Sequence, residues 1–327
     1  MLNKLLRRYS SWLLRALGVL LFVWILTRAE LTKVGETLAS IDLLSLAWLP
    51  AVALGQIALR AVRWRLLLGR DGNRMPYSRA FSIYASGVFL GSFTPGRLGD
   101  LAKAIYLRRE QEISWERAAG VTVTDRVFDL VLLLASGLWA LVHFGLWSPL
   151  ASLLGLGILL SGVVFAFARS RWSAWLSLRQ CLERWRGFRF AAGFKAEGIR
   201  SVRRAGGWAA ALTLLAYAAF FLQTGHLGFV LGLPLSVADI TAAIALVGIA
   251  SFLPVSIAGF GTRESILVLV MAQRGVPNHF EAALSYSALF FAFCFLLPSL
   301  FGFLCWLQRP IALDGIRSAP AASGVNL

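Results

Sequence analysis

An all-α polytopic membrane protein is the fold class this sequence predicts, and three observations predict it. Apolar runs of about 20 residues recur along the chain, the length that a hydrocarbon layer ~30 Å thick demands of a helix. Of the 327 residues 58% are hydrophobic and only 15% charged, with a mean hydropathy of +0.71; a soluble domain has roughly 45–50% and 25%. The surplus positive charge, +16, is gathered between the apolar runs rather than within them. In lipid only helices and closed barrels satisfy every backbone group, and long uninterrupted Leu, Ala, Val and Phe runs mean helices.

Taken in order, Lys4, Arg7 and Arg8 precede the apolar run 12–26. No small-x-small cleavage site follows it, so this reads as a retained first span with a cytoplasmic N-terminus. The mixed-charge loop 28–42 is expected outside. The second span, 43–63, ends among Arg60, Arg63 and Arg65, with Arg70, Arg74 and Arg79 beyond it, which marks the cytoplasmic side. Trp64 and Tyr77 suit the membrane interface there. The third and fourth spans are 121–143 and 150–168, joined by an external loop without Lys or Arg over 143–149. Segment 169–207 holds ten Lys/Arg against two Glu, and Trp172, Trp175, Leu178, Leu182 and Trp185 recur at steps of three and four. It reads as a basic amphipathic helix in the cytoplasmic headgroup layer, or packed on the protein's own cytoplasmic face. Spans 208–231 and 283–307 complete the membrane domain, 1–308. The Pro/Ala/Ser/Gly tail 309–327 is expected to be a disordered cytoplasmic segment.

Two stretches do not fit whole spans. Ser92-Phe93-Thr94-Pro95-Gly96-Arg97-Leu98-Gly99-Asp100 with Lys103 interrupts one apolar run. Ser251-Phe252-Leu253-Pro254, then Gly259-Phe260-Gly261-Thr262-Arg263-Glu264, interrupts another. Residues 80–93 and 98–107 are each too short to cross at ~1.5 Å per residue. Re-entrant hairpins resolve the conflict, one entering from the cytoplasm and one from outside, because broken backbone is tolerated in a membrane where it lines a cavity. The expectation is therefore six full spans plus two hairpins, about eight membrane elements, in an inverted-topology repeat.

Several functions are excluded. The basic clusters flank spans, so the charge reports the positive-inside rule and anionic lipid rather than nucleic acid. Cys181, Cys294 and Cys305 are odd in number and lack metal-ligand spacing, and His143, His226 and His279 have no ligand neighbours. No cofactor, metal or catalytic set is expected, and the chain is not expected to be an enzyme. The oligomeric state does not follow from the sequence.

Charges inside spans mark function by default, because each costs ~2.5–3.5 kcal/mol at a helix centre. Arg97, Asp100 and Lys103 recur every three residues on the first return limb, and Arg263 and Glu264 hold the equivalent place in the second. Asp125 and Asp129 share a helix face at the cytoplasmic mouth of the third span, and Arg126 can pair with Asp129. Arg60 and Arg63, at the end of the second span, suit snorkelling. The functional reading is a polar cavity between the hairpins. Arg63, Arg97, Lys103 and Arg263 would bind phosphate, and free N–H groups beside Pro95 and Pro254 would add donors. Asp100, Asp129 and Glu264 would balance the cations or take up protons. The competing reading has the same charges pairing only to hold helices together.

The motifs Arg60-Ala61-Val62-Arg63-Trp64-Arg65, Thr94-Pro95-Gly96-Arg97-Leu98-Gly99-Asp100 with Lys103, Thr124-Asp125-Arg126-Val127-Phe128-Asp129 and Gly259-Phe260-Gly261-Thr262-Arg263-Glu264 resemble the flippase-like membrane domain. This is the transmembrane region of lysylphosphatidylglycerol synthases, and the similarity covers roughly 10–308. In the synthases the resemblance implies that this region moves an aminoacylated phospholipid, made by a separate cytosolic domain, between leaflets. It extends to Thr94, Gly96, Arg97, Asp100, Lys103, Gly259, Gly261, Arg263 and Glu264 as motif positions. With the sequence ending at Leu327, the expectation is a stand-alone member without the aminoacyl-transferase domain, so synthase activity is not carried over. The expected function is a flippase of the cytoplasmic (inner) membrane for an anionic phospholipid or a phosphate-linked polyprenyl or glycolipid. The alternative is a non-transporting lipid-binding partner of a separate lipid-modifying enzyme.

Overall fold

The computed structural model describes residues 23–92, 94, 99–110, 113–146, 148, 155, 157, 186–251 and 259–308. The regular elements among them are helices. Residues 23–28 are helical, followed by α1 (Leu31–Ala39), a short helix within the loop expected at 28–42. Next come α2 (Leu43–Leu46), whose cap Asp42 accepts from the Leu44 N–H at 3.0 Å, and α3 (Leu49–Leu68), which carries Pro50 in its first turn and stops at Gly69 with φ +65°. Then follow α4 (Arg70–Arg74), α5 (Tyr77–Ser92), α6 (Ala102–Glu110), α7 (Trp115–His143) and α8 (Arg186–Val230). The C-terminal part comprises α9 (Val237–Ala250), α10 (Thr262–Gln273), α11 (His279–Phe290), six residues of π-helix (Phe291–Leu296) and α12 (Leu297–Gln308).

Among the described residues four segments are long and apolar enough to cross a membrane: Leu43–Leu68, Trp115–His143, Ala196–Val230 and His279–Gln308. Their sidedness supports that assignment. On α8, Trp208, Leu214, Leu222 and Phe229 point outward, Phe229 with 80% of its surface exposed, while Thr213, Gln223 and Thr224 are buried. Polar side chains inside and apolar ones outside is the arrangement lipid imposes, since tails solvate leucine as well as a core does and cannot satisfy an amide. The chain is an all-α polytopic membrane protein.

Boundaries differ from the sequence expectation in ways that move the site. The second span runs on to Leu68, so Arg60 and Arg63 lie inside the helix and not at its end, and Trp64 is fully buried rather than interfacial. The third begins at Trp115, which sets Asp125 ten residues, ~15 Å, into the helix and away from its mouth. The helix of the fifth span starts at Arg186 rather than 208. Its basic extension packs on the protein: Glu197 is buried and meets Arg117 Nε at 3.4 Å, and Arg204 donates to the Leu68 carbonyl. The amphipathic stripe 172–185, the fourth span 150–168 (apart from 155 and 157), most of the first span and the tail 309–327 lie outside the described residues.

Helices α3 and α8 are antiparallel. Leu68 meets Arg204, Arg63 meets Thr213, Gln56 meets Gln223 and Trp48 meets His226, one index rising as the other falls. Helix α7 packs antiparallel on α9, where a Cβ on Gly137 would fall 2.0 Å from Ile249 Cδ1 and one on Gly248 2.5 Å from Leu133 Cδ1. Helix α12 lies against α5 equally closely, with Gly302 set over the Ala85 carbonyl and Phe81 and Phe89 meeting Phe301 and Phe303. Small residues permit such approaches where lipid gives no hydrophobic drive to associate.

The two short pairs, α5–α6 and α9–α10, are closed at their bases by ion pairs. Arg79 at the start of α5 donates to Glu110 at the end of α6, Nε to Oε2 2.6 Å. Asp239 at the start of α9 meets Arg274, just past the end of α10, at 2.6 Å. The first base lies with Arg65, Arg117 and Arg204 at one end of the molecule. The second lies at the opposite end, where His143 closes α7 against Asp239 at 2.8 Å. One apolar cluster packs around α3, α5 and α6, and a second around α9, α10 and α11.

Candidate functional site

The first helix pair is braced across its break by Thr94. Its hydroxyl accepts the Gly99 N–H at 2.6 Å and donates back to the Leu90 and Gly91 carbonyls at 3.1 and 3.2 Å. Gly99 faces the Leu90 carbonyl so closely that a Cβ would fall 2.1 Å from its oxygen, and Gly87 likewise leaves room for Asp100 and Lys103. Thr94 therefore ties the return limb to α5. Gly96 and Arg97 lie outside the described residues.

Below this brace the return limb delivers its charges into a network shared by five helices. Arg63 of α3, with no exposed surface, is its centre. Its Nε donates to Asp125 Oδ1 at 2.8 Å. Its Nη1 and Nη2 hold the two oxygens of Asp129 at 2.8 and 2.9 Å, and Nη1 also reaches Thr213 Oγ1 of α8 at 2.7 Å. The other oxygen of Asp125 accepts from Lys103 Nζ at 3.1 Å and from the Tyr84 hydroxyl at 3.3 Å. Lys103 also pairs with Asp100 at 3.2 Å and lies 3.9 Å from the centre of the Tyr84 ring. Arg126 pairs with Asp100 and lies 4.0 Å from Asp129. Its principal partner is thus on the return limb and not the i+3 neighbour on its own helix. Arg60, one turn from Arg63, sits over the Tyr217 ring at 5.4 Å, and the Tyr217 hydroxyl donates to the Asp129 carbonyl at 3.2 Å. Among the described residues four cations (Arg60, Arg63, Lys103, Arg126) meet three carboxylates (Asp100, Asp125, Asp129).

The second pair is built differently. Gly259 and Gly261 have φ +80° and +85°, a region that favours glycine, and they turn the chain into α10. Glu264 caps that helix, its Oε2 accepting the Gly261 N–H at 2.7 Å. Its Oε1 takes Arg263 Nη2 at 2.7 Å, while Arg263 Nε donates to Ser287 Oγ of α11 at 2.7 Å. Phe260, Phe290 and Phe291 stand around the guanidinium at 5.3–5.8 Å. Arg263 and Glu264 thus form a closed, neutral pair, 2% and 0% exposed.

The residues missed from the sequence are uncharged: Tyr84, Thr213, Tyr217 and Ser287, together with the buried Gln56–Gln223 bond of 2.7 Å. The signal available for two of them was the rarity of glutamine within apolar spans.

Fold and site together define a polytopic helical membrane protein with a multi-helix ion network in its interior. The chain belongs to the family of the lysylphosphatidylglycerol synthase transmembrane region, whose family model matches residues 12–302. That membership places its function with membrane lipids. No curated protein and no solved structure matches the chain.

Proposed function

We propose that this protein moves an anionic phospholipid, or a phosphate-linked polyprenyl or glycolipid, between membrane leaflets, with the Arg63 network receiving the headgroup. One observation carries the reading: a fully buried Arg63 and Lys103 belong to a network whose described cations outnumber its carboxylates by one, at the tip side of a short broken helix pair. Helix pairing alone needs no surplus charge, whereas an incoming anion is stabilised by one. Thr94, Asp100, Lys103, Arg63, Arg126 and Asp129 supply this half of the proposed site, and Gly96 and Arg97, outside the described residues, are assigned to it by the motif alone. Gly259, Gly261, Arg263 and Glu264 form the second half, a clamp on the opposing break.

Re-entrant geometry belongs to the same proposal. Helices α5, α6, α9 and α10 have 16, 9, 14 and 12 residues, short of the ~20 that a crossing needs. Each pair returns to the end at which it began, and the two bases lie at opposite ends. Lys103 and Arg263 are each the second residue of their return helix. These features support an inverted repeat in a bacterial cytoplasmic membrane, with the arginine-rich end inside.

The test is a leaflet-resolved assay of fluorescent lipids in liposomes carrying the purified protein. Acceleration of anionic over zwitterionic headgroups is expected. A folded protein that accelerates none defeats the transporter reading and leaves that of a lipid-binding partner of a biosynthetic enzyme. Thiol labelling of Ser92→Cys tests re-entry separately, with reaction expected only from the arginine-rich side.

A further inference from the structure

Among the described residues Arg60 is the cation in the network without a carboxylate of its own. Both oxygens of Asp129 are taken by Arg63, Asp125 is shared between Arg63 and Lys103, and Asp100 is shared between Lys103 and Arg126. Arg60 stands one turn from a like charge, Arg63, on a membrane-spanning helix, and its Nε is buried with no hydrogen-bond partner. A second orphan stands four residues further along α3. Trp64 is fully buried and its indole Nε1 likewise has no partner among the described residues. Residues four apart share a helix face, so both open donors come from one stripe of α3. Trp64 packs edge-on against Tyr84, the ring that carries Lys103, with centroids 6.3 Å apart. Arg60 is steadied by Tyr217, which is anchored to the Asp129 backbone.

Buried polar groups in folded proteins are almost always paired, and two neighbouring orphans of donor type, one of them cationic, specify an acceptor that is anionic. We propose that Arg60 and Trp64 form an oxyanion subsite, in which the guanidinium supplies charge and the indole N–H supplies direction to the non-bridging oxygens of a phosphate group. The inference rests on the lipid-headgroup reading of the Arg63 network and sharpens it. The network proper is an internally paired scaffold, and the phosphate is held at its edge, on a face of α3 that the charge pattern alone marks as snorkelling. A phosphate ester of a lipid headgroup and free inorganic phosphate share this chemistry.

The experiment measures equilibrium binding of short-chain phosphatidylglycerol to the full-length protein in zwitterionic nanodiscs, with inorganic phosphate as competitor. Arg60→Gln is expected to weaken binding about tenfold or more, and Trp64→Phe about threefold to tenfold, as loss of charge-assisted and neutral hydrogen bonds respectively. Arg60→Lys, which keeps the charge and tests against simple misfolding, should fall between Arg60→Gln and wild type. Competition by phosphate at millimolar concentration assigns the subsite to the phosphate group alone; lack of competition assigns it to the esterified headgroup. Binding by Arg60→Gln within twofold of wild type, in a protein with an unchanged melting temperature, overturns the subsite. Lipid movement measured on the same preparations keeps the two readings apart. Unaltered binding with transport intact removes only the subsite, and headgroup binding lost in Arg60→Gln without wild-type transport removes only the flippase.

Discussion

The two broken helix pairs rhyme in sequence and diverge in structure. Each starts and ends at one end of the molecule, each base is closed by an ion pair, and each return helix carries a buried cation at its second position. In the first pair Lys103 opens outward into carboxylates supplied by its own limb and by α7, with Arg63 of α3 on the far side. In the second, Arg263 closes on its neighbour Glu264, which also caps the helix. Among the described residues the same motif therefore yields a shared, charge-imbalanced network on one side and a neutral Arg263–Glu264 clamp on the other. The difference arises from neighbours: α3 and α7 bring Arg60, Arg63, Asp125, Arg126 and Asp129 to the first pair, while α11 brings Ser287 and Phe290 to Arg263.

The largest effect is expected from Arg63→Leu, which leaves Asp125 and Asp129 without their main partner. Stability should fall by ~3–5 kcal/mol, the usual cost of breaking a buried pair from one side, read as a lowered melting temperature in detergent or nanodiscs. No single carboxylate substitution should restore it, because two anions are released together. In the second pair Arg263→Met should also destabilise, by ~2–4 kcal/mol, but Arg263→Met with Glu264→Gln should recover most of the loss, since glutamine keeps the cap to the Gly261 N–H and no charge remains. Equal rescue in both pairs would erase the distinction between open network and closed clamp.

Backbone substitutions separate the two breaks at a smaller scale. Gly99→Ala drives a Cβ to 2.1 Å from the Leu90 oxygen and should cost ~2 kcal/mol or more, as overpacking against rigid backbone does. Gly261→Ala strains a residue at φ +85° and should cost ~1 kcal/mol or more. Lipid movement should suffer more from the first than from the second at matched stability.

The smallest effect concerns the base of the second pair. Burial alone would raise the Asp239 carboxyl, but hydrogen bonds from Ser236 and His143 and the nearby Arg274 charge outweigh it and hold the pKa near 2. Because the folded value lies below the ordinary 3.8, the contribution to stability is fully present above pH ~4 and is lost as pH falls towards 2. Asp239→Asn should flatten that acid limb of the melting curve without altering the arginine-rich end. An unchanged limb would show that the pair contributes nothing measurable.

What the sequence disclosed followed from lipid's demand for apolar length. Spans expected at 43–63, 121–143 and 283–307 are found as Leu43–Leu68, Trp115–His143 and His279–Gln308. The ends were missed where charge and helix continue together. Arg60, Arg63 and Arg65 look like a boundary to a hydropathy reading, yet the helix passes through them because Asp125 and Asp129 receive Arg63. The basic stretch before 208 looks like a surface segment, yet its described part continues into α8 and packs on Arg117 and Leu68. Pairing of this kind is set by distant helices and leaves no local trace. Lys103 and Asp100, which join the buried ion network, were legible as candidates from their spacing; Tyr84 and Thr213, ordinary residues of apolar helices, were not.

The most direct test compares leaflet-to-leaflet movement of a fluorescent anionic phospholipid in liposomes carrying wild-type protein, Lys103→Gln, or the loop control Arg74→Ala. The open-network account predicts acceleration by wild type and by Arg74→Ala, and a loss of about tenfold or more in folded Lys103→Gln. Movement by Lys103→Gln at the wild-type rate would contradict it.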